Sequence, residues 1–399
     1  MDFVGEHYYN YTEHYYKLNR ILLVCVGLWP YDTSFLKKIQ IIFFEALFMS
    51  FLLCQLNVFL LKNCSAELVM KVLMFLFITL FFTVQYNAGV LLTDTFKYIF
   101  SRLRYDWKML KNQTEFDIIQ KYADRTRFHT TLFTLLATSV CLGIVVLCSV
   151  PSILDIIIPL NESRPSWLPI VAEYFVDQER YFYVIVIHIF IVLYAGCMVL
   201  VASGGMILGY VMHNCAIFKI AIYRIEHIFD EKILQMSKHV REYVLYERLI
   251  HAVHLHRRAV DLANILTNSL ATVYFILLIC GVASTSFSVF HLFHVLTPLN
   301  DILELLACCG VILSQLYYVF LGNYIGQDII DLSTNVFRTT YNTEWYTAPL
   351  WLQKLILFIM QRSSIKSTFT AGGIFDASLE GFAKLMSMSM SYVMFLRST

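Results

Sequence analysis

The residues best placed to do chemistry at depth lie near the end of the sequence. Glu380, Lys384, Ser387, Ser391, Phe395 and Ser398 follow one another at steps of four, three, four, four and three. That spacing puts them on one stripe of a helix. Phe382, Leu385, Met386, Met390, Met394 and Leu396 fall on its other faces. Charges and hydroxyls are costly in hydrocarbon unless they face protein or water. Two arrangements satisfy them: a narrow aqueous pore lined by symmetry-related copies of the helix, or a buried seam between helices, where Ser is common.

Other candidate chemistry is weaker. His251 and His254 share a helical face, a spacing that can bind metal, but no carboxylate or Cys set completes a site and a solvated face is the simpler reading. Glu179-Arg180-Tyr181 matches a short acidic-Arg-Tyr triplet of G-protein-coupled receptors at the wrong end of the wrong helix, which reads as chance. Gly205 and Gly209 form a GxxxG pair, which lets helix backbones approach closely within a bundle or between subunits. The ten cysteines show no CxxC or metal spacing and lie mostly in apolar stretches. No nucleophile–base set, phosphate loop or intramembrane carboxylate pair occurs, so the chain reads as a non-enzyme without cofactor or metal. The scarcity of charge within the spans, together with the lack of an internal repeat, argues against proton-coupled and inverted-repeat transporters.

Long apolar helices must hold that stripe. The chain has 399 residues, 58% hydrophobic, 16% aromatic and only 15% charged, against about a quarter charged in soluble domains. That balance excludes disorder, collagen-like repeats and disulfide-stapled secreted modules, and a net charge of +1 gives no nucleic-acid-binding surface. A membrane helix needs roughly 20 mostly apolar residues. The sequence offers Ile39–Leu61, Val72–Leu92, His129–Ser152, Tyr181–Met212, Ile265–Phe287 and Leu305–Ile325, with a seventh, Phe375–Leu396, weakened by Glu380 and Lys384. The run Ile21–Trp29 is too short to span, follows acidic residues unlike a signal peptide, and reads as interfacial or re-entrant. The expected fold is an all-α membrane protein of seven transmembrane helices.

The basic residues sort by loop. One alternating set of segments carries four, eight, eight and four Lys or Arg; the other carries two, two, none and one. Cytoplasmic loops hold the excess of Lys and Arg, so the N-terminus is expected in the cytoplasm and the C-terminus outside. Sequons at Asn63 and Asn161 fall in the expected outer loops as glycosylation candidates. The expected organisation is a cytoplasmic segment at 1–38, a six-helix bundle at 39–325 with long inner loops at 93–128 and 213–264, a second cytoplasmic segment at 326–374, and the seventh helix at 375–399.

The last 60 residues carry a family signature. Tyr341-Asn342-Thr343-Glu344-Trp345-Tyr346, Leu350 through Ser363, Ala371-Gly372-Gly373-Ile374-Phe375, Ser378-Leu379-Glu380-Gly381-Phe382 and Ser391-Tyr392 together resemble the C-terminal region of insect odorant receptors, and the N-in, seven-helix pattern agrees along the whole chain. Ser391-Tyr392 is not followed by the Gln-Phe of the related gustatory receptors, and the longer insertion of the shared co-receptor between helices 4 and 5 is lacking. The resemblance is to a ligand-tuning subunit.

The resemblance implies a ligand-gated, non-selective cation channel in the plasma membrane of olfactory neurons. It implies a hetero-oligomer with the co-receptor, as a tetramer around a pore made by the last helix, with a cytoplasmic anchor helix at 345–364 that, with the inner ends of helices 4 to 6, forms the main contact between subunits. It places the gate at Phe395 and Thr399, and the polar stripe through Ser387 and Ser391 points to the same pore face. It puts the pocket for a small apolar odorant in the outer half of the bundle, where this sequence offers Phe75, Ile78, Thr79 and Phe82; Cys141, Leu142 and Val145; His188, Ile191 and Tyr194; Leu277 and Cys280; Cys309 and Ile312. A receptor acting through a cytosolic partner, using the two basic loops, and a small-molecule carrier are the alternatives.

Overall fold

The computed structural model describes residues 16–61, 66–110, 112–157, 170–177, 180–230, 233, 235–296 and 302–398. Asn63, Asn161, Glu179 and Thr399 lie outside them. The described helices are α1 (16–25), α2 (Phe35–Asn57), α3 (Ala66–Leu91), α4 (Thr93–Lys108), α5 (Gln113–Ile157), α6 (Phe182–Glu226), α7 (Lys238–Leu296), α8 (Ile302–Asn342), α9 (Leu350–Ser363) and α10 (Leu379–Ser398). A short hairpin, β1 (Thr370–Ala371) against β2 (Phe375–Asp376), joins α9 to α10.

Among the described residues, six helices are long and apolar enough to cross a membrane: α2, α3, α5, α6, α7 and α8. The seventh expected span corresponds to α10, whose Glu380 and Lys384 keep it less apolar. The helices run well beyond the apolar stretches. At about 1.5 Å per residue, the 59 residues of α7 reach roughly 90 Å, three times the ~30 Å hydrocarbon thickness. The expected inner loops 93–128 and 213–264 are therefore mostly helix, formed by α4 and by the ends of α5, α6 and α7. Hydropathy ends where the bilayer would end, but the packing periodicity does not. Leu245, Leu249, Ala252, Leu255, Ala259, Leu262 and Leu266 continue a buried face of α7 at steps of three and four.

Helix α6 runs through the centre, packed against α5, α7, α8 and α3, and is buried almost continuously from Val199 to Ile222. Phe35, Leu36 and Ile42 of α2, Leu135 of α5, and Tyr183 and Val184 at the start of α6 stay exposed, the inverse of a water-soluble surface. Hydroxyls inside the spans bond back to their own helix: Thr134 Oγ1 donates to Thr130 O at 2.7 Å and Thr138 Oγ1 to Thr134 O at 2.7 Å, which removes the need for water or a partner helix.

Residues 16–28 tuck one face into the bundle. Leu22, Leu23, Val26 and Leu28 are buried while Ile21 and Val24 are exposed, and Tyr86 Oη donates to Val26 O at 3.2 Å. This segment shares the GxxxG groove of α6 with α5. A Cβ on Gly209 would stand 3.0 Å from the Tyr16 ring, and one on Gly205 3.0 Å from Thr130 Cγ2. Asn19 Nδ2 donates to Gly205 O at 2.8 Å. The glycine pair thus serves packing within one chain.

The charges of the two basic regions pair with each other and with α8 at the bundle end that carries α4 and α9. Asp106 of α4, 3% exposed, accepts from His213 Nε2 of α6 at 3.0 Å and pairs with Arg258 of α7. Arg224 grips Glu115 bidentately at 2.6 and 2.8 Å. Arg125 reaches Asp328 at 2.9 Å and Tyr324 Oη at 2.6 Å. Charges this deep need partners with good geometry, and the folded-back helices supply them.

Candidate ligand cavity and the last helix

A cavity of about 200 Å³ opens between α3, α5, α6, α7, α8 and α10. Helix α3 contributes Phe81, Gln85, Ala88 and Gly89, at steps of four, three and one, so a single face of that helix forms one wall. His129, Thr130 and Phe133 of α5, Ser203 to Gly205 of α6, Tyr274, Leu277 and Gly281 of α7, and Tyr318 and Gly322 of α8 complete the sides. No Asp, Glu, Lys or Arg lines it. The volume falls below the ~300–1,000 Å³ of drug-sized pockets, which suits a small neutral molecule.

The last helix is part of the wall. Leu385, Met386 and Ser389 of α10 line the cavity, as do Phe369, Thr370 and Ala377 from the segment that leads into α10. That segment is anchored from several sides. Thr267 Oγ1 donates to Thr368 O at 3.0 Å, and Gly372 N to Ala271 O at 3.1 Å. Gly372 and Gly373 turn with φ +57° and +72°, left-handed backbone that a side chain would strain. Gly326 lets α8 meet the entry to α10: a Cβ there would sit 2.3 Å from Ala377 O. Ser378 caps α10, its Oγ accepting from Gly381 N at 3.0 Å. Asn323 Oδ1 and Gln327 Oε1 of α8 accept from the backbone N–H groups of Ser378 and Leu379 at 3.2 and 3.3 Å. The Gly-Gly and Ser-Leu-Glu-Gly runs of the sequence thus set where the last helix starts.

Helix α10 presents two faces. Leu385, Ser389 and Val393 are buried against the bundle. Glu380, Lys384, Ser387, Ser391 and Phe395 are exposed on the periphery of the chain, with Lys384 Nζ 2.6 Å from Glu380 Oε1 and Ser391 Oγ donating to Ser387 O at 2.9 Å. The polar stripe is not a seam buried within this chain.

Of the pocket residues expected from the sequence, Leu277 alone lines this cavity. The others sit elsewhere. Phe75 and Thr79 are buried on α3, with Thr79 Oγ1 donating to Phe75 O at 2.9 Å, and Ile78 packs against the core. The Phe82 ring fills the space above Gly196. Cys141 Sγ lies 3.6 Å from Cys197 Sγ. Leu142, Ile191 and Tyr194 are exposed, and Val145 O accepts from Ser149 Oγ at 2.8 Å. His188 is engaged by Ser50 at 3.3 Å and Tyr174 at 2.8 Å. Cys280 and Ile312 are buried and Cys309 half-buried.

Relative to those residues the cavity is displaced toward the α4–α9 end on four helices at once. Phe133 precedes Cys141 by eight residues, Ser203 follows Tyr194 by nine, Tyr318 follows Ile312 by six and Gln85 follows Phe82 by three. At about 1.5 Å per residue these offsets run from about 5 to about 14 Å. On the side of the cavity away from the α4–α9 end, Phe77 and Phe287 stack 5.9 Å apart. Near the far ends of α3, α7 and α8, Glu304 Oε1 binds Lys71 Nζ at 2.9 Å and His291 Nε2 at 3.1 Å. Among the described residues no group of three or more His, Cys, Asp or Glu could hold a metal ion. His251 pairs with Glu247 at 3.5 Å, His254 is exposed and His256 is buried against Phe218.

Comparison with known proteins places this architecture. The family model described as 7tm Odorant receptor matches residues 65–390. Odorant receptor 49a of Drosophila melanogaster is 32% identical over 74 residues, 18% of this chain and 19% of that protein. Odorant receptor 85f of the same species is 32% identical over 78 residues, 20% of each. These matches span about a fifth of the curated relatives' length. The insect olfactory receptor OR5 from Machilis hrabei has the same fold: in complex with eugenol it aligns with TM-score 0.77 and 13% identity over 98% of this chain and 99% of that one. A second structure of the same receptor aligns with TM-score 0.77 and 14% identity over 97% of this chain and 98% of that one. With the family model covering most of its length, the chain is a membrane-embedded receptor rather than an enzyme and belongs to the insect odorant receptor family.

Proposed function

We propose that the chain is the ligand-tuning subunit of an odorant-gated, non-selective cation channel, assembled with a co-receptor subunit as a tetramer. Its place is the plasma membrane of olfactory neurons, with the N-terminus cytoplasmic and the C-terminus outside. The observation that carries this reading is the shared wall: α10 and the segment leading into it border the cavity through Leu385, Met386, Ser389, Phe369 and Thr370. A ligand there touches the helix proposed to line the pore, and it shifts the closed–open equilibrium only as far as its contacts are better in the open state. The exposed stripe of Glu380, Lys384, Ser387, Ser391 and Phe395 would then face the pore axis among the last helices of the partner subunits. Leu350, Trp351 and Phe358 of α9, exposed in the single chain, suit the subunit contact of the cytoplasmic anchor.

The cavity serves as the odorant site in this reading, in place of the outer-half set. The eugenol bound by OR5 from Machilis hrabei is likewise small and aromatic, in keeping with a wall built from Phe81, Phe133, Tyr274 and Tyr318. The excess of Lys and Arg in the segments at the α4–α9 end supports the orientation, and Asn63 and Asn161 then lie outside as glycosylation candidates. Co-expression with a co-receptor should give odorant-evoked cation current. Absence of current across a broad panel, with surface delivery established, rejects the channel reading. A C-terminal tag that stains only after permeabilisation rejects the orientation and reopens signalling through a cytosolic partner.

A further inference from the structure

We propose that the cavity selects neutral ligands bearing a hydroxyl group, alcohols or phenols, and that Gln85 reads that hydroxyl. The inference rests on the cavity being the ligand site. Gln85 is 2% exposed and lies on the face of α3 that forms the cavity wall. Its Nε2 donates to Ser203 Oγ at 2.9 Å, and Ser203 Oγ donates its own proton to Val199 O at 2.6 Å. That chain fixes the amide. Because the Ser203 proton is committed to Val199, Ser203 can only accept from Gln85, so the nitrogen must face it and the oxygen must not. Gln85 Oε1 is left buried with no hydrogen-bond partner among the described residues.

A buried acceptor without a donor is expensive, and the adjoining cavity is where a donor can arrive. Other polar groups of the wall do not discriminate in the same way. Thr285 Oγ1 donates to Gln315 Oε1 at 3.3 Å and Thr267 Oγ1 to Thr368 O. Thr130 Oγ1 and Ser389 Oγ, also unpartnered, are hydroxyls that donate or accept equally, and His129 Nδ1 does either according to its tautomer. Gln85 Oε1 only accepts. The wall carries no Asp, Glu, Lys or Arg, so an ionised acid or amine would enter without a counter-charge at prohibitive cost. What remains is a neutral O–H donor on an apolar body.

Isomeric alcohol–ether pairs test this, because they keep size and atom count and remove only the donor: octanol against heptyl methyl ether, and phenethyl alcohol against benzyl methyl ether, within a wider panel of such pairs. In cells co-expressing the full-length chain and a co-receptor, alcohols should activate at concentrations about five- to a hundredfold lower than their ether isomers. Gln85→Met should bring that ratio to about one. Ser203→Ala, which unpins the amide, should narrow it. Equal potency of alcohols and ethers in the unsubstituted receptor overturns the inference and leaves the channel reading standing, as does an alcohol advantage that survives Gln85→Met. If Gln85→Met fails to reach the surface, the unsubstituted ratio and Ser203→Ala decide. A surface-delivered receptor that no pair activates refutes the channel reading and this inference with it.

Discussion

Filling the cavity should lower sensitivity in proportion to ligand length. Gly281 on α7 lines the cavity, and the nearest atom a Cβ would meet beyond its own helix is the Phe81 ring at 3.9 Å, an ordinary contact. Gly281→Leu therefore adds four carbons to a space of about 200 Å³ without forcing the backbone. A ligand that gives up the burial of four carbons loses about 0.8 kcal/mol for each, or roughly 3 kcal/mol and some 150-fold in half-maximal concentration. Folding is not the cost, since Leu in a helix interior is favoured over Gly by about 0.8 kcal/mol. The assay is a concentration–current series over homologous ligands, with surface delivery measured in parallel. Long ligands should lose about 150-fold and ligands four carbons shorter should be spared. Tyr194→Ala, at an exposed position stacked on Phe190, should change potency less than about threefold, a surface-scale effect. Unchanged potency in Gly281→Leu, or a large loss in Tyr194→Ala instead, would refute the placement of the site and return it to the outer half.

Three further outcomes follow from the packing. Arg258→Met should leave Asp106 buried beside His213 alone and cost about 3–5 kcal/mol, seen as a lower thermal midpoint in detergent; Asp106→Leu with Arg258→Met should cost less, and a double variant as unstable as the single contradicts the pairing. Gly196→Ala would put a Cβ 2.1 Å from the Phe82 ring, overpacking worth about 1–3 kcal/mol; adding Phe82→Leu should recover part of the lost midpoint, and no recovery places the strain elsewhere. Phe395→Ala should alter conductance or basal opening, and an unchanged single-channel record removes that residue from the gate.

Much of the fold was legible because burial in lipid leaves a local mark. Runs such as Ile39–Leu61 and Val72–Leu92 announce helices on their own, and α2 and α3 cover them within a few residues. The polar stripe was equally local: its steps of three and four fix one face of a helix, and the structure leaves that face exposed. Helix ends beyond the bilayer were less legible. Nothing in the hydropathy of 238–264 distinguishes a loop from the extension of α7, because its buried face answers to α6, packed across from it, and not to lipid. The role of Gly205 and Gly209 was half legible: close approach follows from the spacing, whereas Tyr16 and Asn19 as occupants follow from a segment some 190 residues away.

The sequence by itself determined that this chain enters a membrane, where its apolar spans run, and which face of the last helix is polar, since each is a sum over neighbouring residues of transfer cost and helical phase. Its C-terminal runs also carried the family, because Gly372, Gly373, Ser378 and Gly381 do local backbone work that few other residues can do. Only the tertiary structure decided where the bundle fails to fill itself. A cavity is a property of six helices at once, set by how their faces turn and by which rings reach across. Among the positions the sequence favoured, Phe82 fills the space at Gly196 and His188 is held by Ser50 and Tyr174. The turn of α3 beyond them brings Gln85 to the wall of the cavity instead.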